Sequence, residues 1–155
     1  MPSRSDVAII GGGLVGTSLA LALAPLKLSI DVIEAVSPDD SEQPRFDART
    51  IALTWSSRQI LNAIGAWPAL AEKASPIHSI HVSNHGHSGI TRLDRALINT
   101  EALGYVLPSR CLGQVLPPNT TLHPSISCHI PDSATNLQSS ADPVPIYTNA
   151  NTLPP

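Results

Sequence analysis

The stretch DVAIIGGGLVGTSLALALA occupies residues 6–24 and decides the expected fold. Residues 6–10 form a short apolar run rich in β-branched side chains, which is typical of a buried strand. Three glycines follow at residues 11–13, and residues 14–24 consist mostly of Ala and Leu, which favour a helix. Pro25 ends this helix, because the residue before a proline avoids the helical region. The stretch therefore predicts a strand, a glycine turn and a helix.

A second strand is expected at residues 29–34, SIDVIE, which end on a carboxylate. Two parallel strands joined by a helix form the βαβ unit of an α/β fold. A secretory signal peptide is the alternative interpretation, with Arg4 as its basic end and the Leu/Ala run as its core. Asp6 and the glycines interrupt that pattern, and no convincing small-residue cleavage site follows before Asp31, so the βαβ unit is favoured.

The glycine spacing is the first functional signal. Gly11, Gly13 and Gly16 match the fingerprint G-x-G-x-x-G, which permits a sharp turn, leaves room for a pyrophosphate and lets the helix pack on the strand. The helix N-terminus offers N–H groups and a positive dipole end to the phosphates. Glu34 follows Gly16 by 18 residues, at the end of the second expected strand. There its carboxylate can accept hydrogen bonds from ribose hydroxyls and would repel a 2′-phosphate. This pattern favours FAD or NAD over NADP, and a purely structural glycine turn is the alternative.

Composition bounds the remaining functions. The chain has 155 residues, of which 42% are hydrophobic, and a net charge of -3. That length suits one domain, and the charge gives no electrostatic footprint for nucleic acid. No run of 18 apolar residues occurs, so no transmembrane segment is expected. Two cysteines do not make a disulfide framework, which favours a reduced, cytoplasmic setting.

The composition changes at residue 117. All nine glycines and all nine Lys and Arg residues precede it, whereas residues 117–155 hold eight of the fifteen prolines. Proline removes a backbone donor and fixes φ, which opposes long regular elements. We therefore expect residues 117–155 to form an irregular, loosely ordered Pro-rich tail, with short extended pieces such as Thr120–Leu122 or Pro145–Thr148.

The middle of the chain predicts further elements. A helix is expected over residues 54–64, with Gly65 as its stop. Residues 77–83 alternate like a strand, and residues 84–89 have the composition of a turn. Residues 103–114 run from a strand into a helix start, which the prolines at 117 and 118 are expected to cut short.

Several of these pieces together resemble a known family, the FAD-dependent aromatic hydroxylases of ubiquinone biosynthesis. The resemblance covers about residues 5–116 and rests on VAIIGGG (7–13), FDAR (46–49) with IAL (51–53), IHVS (80–83) with Gly86-His87-x-Gly89, and LGYV (103–106) with Gln114. It implies a Rossmann-like FAD-binding domain at residues 1–116, including the first strands of a second small sheet at about 77–107. It also implies FAD as cofactor, NAD(P)H and a polyprenylated phenol as reactants, and a ubiquinone-biosynthesis complex as partner. The implied location is the cytoplasm, peripheral to the inner membrane.

The same resemblance assigns roles to polar residues. Arg49 matches an arginine that reaches toward the FAD phosphates or ribose, which suits its permanently charged fork. Arg110 and Gln114 match positions that contact the flavin chain, and their spacing of four places them on one helix face. A solvated surface side chain is the alternative for each arginine. No catalytic acid or base is expected, because the flavin supplies the chemistry.

The chain also departs from the family. The later Gly-Asp flavin motif and most of the substrate domain are not found in these residues, so we expect a truncated copy that is inactive alone. A non-catalytic dinucleotide-binding module or an inert remnant is the alternative. Histidines at 78, 81, 85 and 87 lack the Cys or acidic partners that a structural metal site needs, and no metal is expected.

Overall fold

The computed structural model of the chain describes residues 5–37, 49–86, 89–138, 144–149 and 152–153. The strands in these ranges are β1 (Val7–Ile10), β2 (Ile30–Ile33), β3 (Thr50–Thr54), β4 (Ser75–Ile77), β5 (Ser79–Ser83), β6 (Ile90–Asp94), β7 (Gly104–Pro108), β8 (Ile126–His129), β9 (Ala134–Leu137), β10 (Ile146–Thr148) and β11 (Thr152–Leu153). The helices are α1 (Leu14–Leu23), α2 (Trp55–Ala63), α3 (Trp67–Leu70) and α4 (Ser109–Thr121). Short 3-10 helices cover Ala24–Leu26, Ala71–Lys73 and Arg95–Ile98.

The chain divides into two compact units. The first unit combines residues 1–46 with residues 112–155, and the second unit is residues 47–111. The boundary predicted between residues 116 and 117 instead falls inside α4. The chain therefore leaves the first unit after β2 and returns to it through α4.

The core of the first unit is a parallel sheet with the strand order β1-β2-β8. Val7 of β1 pairs with Ile30 of β2, and Ile30 pairs in turn with Ile126 of β8. Directly before β1 and β2, the Asp6 carboxylate accepts hydrogen bonds from the N–H and the hydroxyl of Ser29, both at 2.8 Å. The predicted βαβ unit with parallel strands is confirmed.

The central strand β2 is buried at all four residues. Ile30, Val32 and Ile33 are each only 1% exposed, and burial of one such side chain contributes about 1.5–3 kcal/mol. A strand covered on both faces reads as a continuous apolar run rather than an alternation. Asp31 is the one polar residue in this strand, and it is also buried.

The irregular tail predicted from residue 117 is wrong for the described residues. Pro117 and Pro118 lie inside α4, so the helix is not cut short, and Thr120 is helical rather than extended. Leu112, Leu116 and Thr120 are spaced by four and are all buried, so packing of one helix face outweighs the backbone bonds lost at the prolines.

Beyond α4, the tail contributes strands to two sheets. β8 joins the parallel sheet, and β9, β10 and β11 form an antiparallel sheet in the order β11-β10-β9. The extended piece predicted at Pro145–Thr148 corresponds to β10 and is confirmed. Pairing with other strands gives these backbone N–H and C=O groups their hydrogen-bond partners, and the composition of the segment alone does not reveal this pairing.

The second unit is built from an antiparallel sheet with the order β3-β7-β4 and from the β5–β6 hairpin. The strands predicted at residues 77–83 and 103–107 are present, although His78 separates β4 from β5. The hydroxyl of Thr54 caps α2 by accepting the Ser57 N–H at 3.2 Å. Gly65 follows α2 with φ +75, as expected for a glycine helix stop.

Aromatic side chains pack around Arg58 in the second unit. The guanidinium carbon of Arg58 lies 5.2 Å from the Trp55 ring centre and 5.3 Å from the Trp67 ring centre. Tyr105 stacks on Trp55 and meets Trp67 edge-on at 4.8 Å between ring centres. Such contacts fix the α2–α3 corner against β7.

Burial raises the pKa of the Tyr105 phenol, and the Glu101 carboxylate raises it further. The folded state then favours the neutral phenol, so this contribution to stability is full below pH 10 and is lost as the pH rises through the raised pKa. We expect Tyr105→Phe to remove phenolate absorbance that develops above the ordinary tyrosine range. An alkaline titration followed at a phenolate absorption wavelength measures this difference. A Tyr105→Phe variant that loses absorbance only in the ordinary tyrosine range would contradict the expectation.

Candidate functional site

The glycine turn at the carboxyl end of β1 is tied to the end of β2. Gly11 has φ +106, a backbone conformation that side chains rarely tolerate. Its N–H donates to the carbonyl oxygen of Ile33 at 2.8 Å. The turn therefore lies at the carboxyl edge of the parallel sheet, where ligands bind in open α/β folds.

The other two fingerprint glycines have different surroundings. A side chain on Gly16 would overlap the carbonyl oxygen of Gly11 and lie 3.2 Å from Ile9 Cγ2, so α1 packs directly on the turn. A Cβ on Gly13 would meet no protein atom within 4 Å. Gly16 thus serves helix packing, whereas Gly13 borders open space.

Gly13 is also the N-cap residue of α1. Its carbonyl oxygen accepts the Thr17 N–H at 3.0 Å and the Thr17 hydroxyl at 2.8 Å. The N–H groups of the first helical turn have no acceptor within the helix and lie at the positive end of its dipole. The open space at Gly13 is therefore an environment that favours an anion.

Glu34 lies beside this turn, directly after β2. Its Oε2 accepts the Gly12 N–H at 2.7 Å, and its Oε1 accepts the Val36 N–H at 2.9 Å. A carboxylate has about four acceptor positions, so each oxygen keeps capacity for a further donor. A Cβ on Gly12 would lie 2.8 Å from the Glu34 Cβ, which explains the third glycine of the turn.

A cavity of about 370 Å³ opens next to Glu34 in the first unit. Its lining residues are Ala35, Pro131, Asp132, Ser133 and Asn149. The backbone of Glu34, which precedes the lining residue Ala35, donates its N–H to His129 O at 3.0 Å and accepts the Asp132 N–H at 2.8 Å. The acid and the cavity are therefore held in one backbone network.

The structure brings four predicted site residues together, namely Gly11, Gly13, Gly16 and Glu34. Arg49 and Arg110 belong to the second unit, where both side chains are exposed and the Arg49 carbonyl accepts the Ser109 N–H at 2.9 Å. Arg110 and Gln114 both lie on α4, as predicted, and Gln114 is also exposed. Their roles toward a cofactor stay predictions. Asp47 and His87, which carry part of the family resemblance, lie outside the described residues.

Sequence reasoning missed three participants. The Gly12 N–H orients Glu34, and His129 and Asp132 bond to its backbone from the other side. The signal for Gly12 was present, because a third glycine exceeds what the fingerprint requires. No local signal marks His129 or Asp132, which reach the site through the pairing of β8 with β2.

Comparisons with known proteins identify the chain's relatives. No protein-family model matches it. It is 31% identical to the ubiquinone hydroxylase UbiL of Rhodospirillum rubrum over 90% of its own length and 32% of the relative. It is 30% identical to the 3-demethoxyubiquinol 3-hydroxylase of Escherichia coli over 83% of its length and 33% of that enzyme.

The chain is similar to ubiquinone hydroxylases over most of its own length. It spans about a third of the length of these curated relatives. The fold agrees with that of p-nitrophenol 4-monooxygenase PnpA from Pseudomonas putida, with a TM-score of 0.74 over 98% of the chain and 38% of the enzyme at 19% identity. The predicted Rossmann-like α/β fold is thereby confirmed for this ubiquinone hydroxylase relative.

Among the described residues, no three His, Cys, Asp or Glu side chains lie close enough to hold a metal ion. Within the same ranges, no helix is both long and apolar enough to span a membrane.

Proposed function

We propose that the first unit binds FAD, as the dinucleotide-binding part of a monooxygenase that hydroxylates a polyprenylated phenol in ubiquinone biosynthesis. The observation that carries the proposal is the open space at Gly13, at the N-terminus of α1, next to the Glu34 carboxylate. The names of the relatives support the reaction class. The finer proposal is that this monooxygenase is a 2-octaprenyl-6-methoxyphenol hydroxylase.

The residues of the turn fit the group that the family implies. The backbone of Gly11–Gly16 would hold the pyrophosphate, because a Cβ at Gly13 would fill the space that the phosphates need. The free acceptor positions of Glu34 would bind the ribose hydroxyls, and Arg49, Arg110 and Gln114 would contact the rest of the cofactor. Bound FAD supplies the redox chemistry with NAD(P)H and O₂.

The roles proposed for the glycine turn and the Glu34 carboxylate are to bind and orient a dinucleotide, and none of these roles is a proton transfer. This observation favours, as a second candidate, a dinucleotide-binding module without catalysis of its own. We expect the 155 residues alone to show no NAD(P)H-dependent hydroxylation when FAD and a prenylated phenol are supplied. Product above a no-protein control would contradict that expectation.

Direct binding to the purified chain tests the proposal. ADP and FAD are titrated into the protein by calorimetry, with 2′-phosphorylated ADP as the comparison ligand. ADP and FAD are expected to bind, and the 2′-phosphate is expected to weaken binding because of the Glu34 charge. A folded chain that binds neither ADP nor FAD would overturn the proposed function.

Glu34→Ala is expected to weaken ADP binding by about 1.5–3 kcal/mol, since a hydrogen bond to a charged group contributes that much. Calorimetry measures the loss. Glu72→Ala, which removes an exposed carboxylate of the second unit, is the matched control and should bind ADP like the wild type. Equal affinity of both variants would show that Glu34 does not contact the ligand.

A further inference from the structure

A buried acid in the central strand has no role in the site as described so far. Asp31 lies in β2 with 5% of its surface exposed, between Ile30 and Val32. Its Oδ1 lies 3.0 Å from Nε2 of His129, which is about one-third exposed. An ionised carboxylate only accepts, so the His129 ring donates through Nε2.

This pair lies on the sheet face away from α1. Ile9 of β1 and Val32 of β2 are register partners, and α1 approaches that face through Gly16. Side chains alternate along a strand, so Asp31 points to the other face. The hydrogen bond therefore ties β8 to β2 on the side that the glycine turn and its helix do not cover.

His129 is the last residue of β8 and bonds both to Asp31 in β2 and to Glu34 directly after β2. Its side chain holds Asp31, and its carbonyl oxygen accepts the Glu34 N–H at 3.0 Å. Three residues later, the Asp132 N–H returns to the Glu34 carbonyl at 2.8 Å. Residues 131–133, which line the cavity, therefore follow a strand end that is bonded to Glu34, and Asp132 itself is bonded to Glu34.

We infer that Asp31 and His129 are positioning residues of the nucleotide site. Their hydrogen bond fixes the end of β8, and through it the backbone of Glu34 and the cavity-lining residues 131–133. The Glu34 carboxylate continues this connection to the glycine turn through the Gly12 N–H. This inference rests on the proposed binding of a dinucleotide and assigns its adenosine half to the surface that the pair positions.

Three variants distinguish a role of Asp31 and His129 in positioning the nucleotide site from a role only in holding β8 to β2. ADP is the ligand used as the probe. His129→Leu removes the donor and leaves the Asp31 charge buried without it, which also destabilises the fold. Asp31→Val with His129→Leu removes both partners, so that no unpaired charge remains and folding is retained. His129→Gln keeps an N–H donor at a similar reach. His81→Leu, at an exposed histidine of the second unit, is the control.

ADP affinity is measured by calorimetry at a temperature where circular dichroism shows each variant folded. We expect the affinity of the double variant to fall about tenfold, and that of His129→Gln and His81→Leu to stay within about twofold of the wild type. Amide hydrogen exchange at residues 34, 35 and 132 is expected to rise in the double variant and to be restored in His129→Gln. A folded double variant that binds ADP as tightly as the wild type would overturn the inference alone. A wild-type chain that binds no ADP would overturn the proposed function, and this inference with it.

Discussion

Gly16→Ala is expected to lower the free energy of unfolding of the first unit by about 3 kcal/mol. The added methyl group would overlap the Gly11 carbonyl oxygen, which is backbone and cannot rotate away. Relief requires α1 to move off the turn, and overpacking of this kind costs about 1–3 kcal/mol or more. Urea unfolding followed by circular dichroism measures the change.

Gly89→Ala is the matched control for this substitution. A Cβ at Gly89 would meet no atom within 4 Å, so its stability should stay close to that of the wild type. A Gly16→Ala protein that unfolds at the same urea concentration as Gly89→Ala would show that α1 does not approach the turn as closely as the structure has it.

Gly13→Val is expected to weaken ADP and FAD binding at least 100-fold, or about 2.7 kcal/mol, while the chain stays folded. The branched side chain would occupy the open space at the N-terminus of α1 and exclude the phosphates. The stability cost is limited to the poorer helix cap, about 1 kcal/mol.

Calorimetric titration and urea unfolding of the same sample separate these two effects. Gly89→Val is the control, because it adds the same atoms in open space in the second unit. Unchanged ADP affinity in folded Gly13→Val would place the phosphates elsewhere. Together, Gly16→Ala and Gly13→Val assign separate tasks to two glycines that are three residues apart.

The β1–α1–β2 unit could be predicted from the sequence because its signals are local. The apolar run, the spacing of Gly11, Gly13 and Gly16, and the acid at Glu34 all lie within one short stretch. Each acts through the backbone of its immediate neighbours, so spacing alone determines its position. The helix stop at Gly65 could be predicted for the same reason.

The rest of the first unit could not be predicted, because distant packing decides it. Pro117 and Pro118 oppose a helix locally, yet the buried faces of Leu116 and Thr120 keep α4 intact. Residues 126–129 have weak strand signals and become β8 only by pairing with β2. The contact of Asp31 with His129 joins residues 98 positions apart, a separation that no motif spans.

That long separation has a consequence for the order of folding. On a ribosome, β1, α1 and β2 emerge first, but β2 stays at the edge of a two-stranded sheet until residues 126–129 have been made. Ile30, Val32 and Ile33 then form an open apolar edge, the kind of strand that pairs readily with other chains. The second unit, residues 47–111, can complete its own sheets during this interval, because its strands pair among themselves. Synthesis that stops before Ile126 would therefore release a chain prone to aggregation, with its inserted unit folded and its central strand exposed.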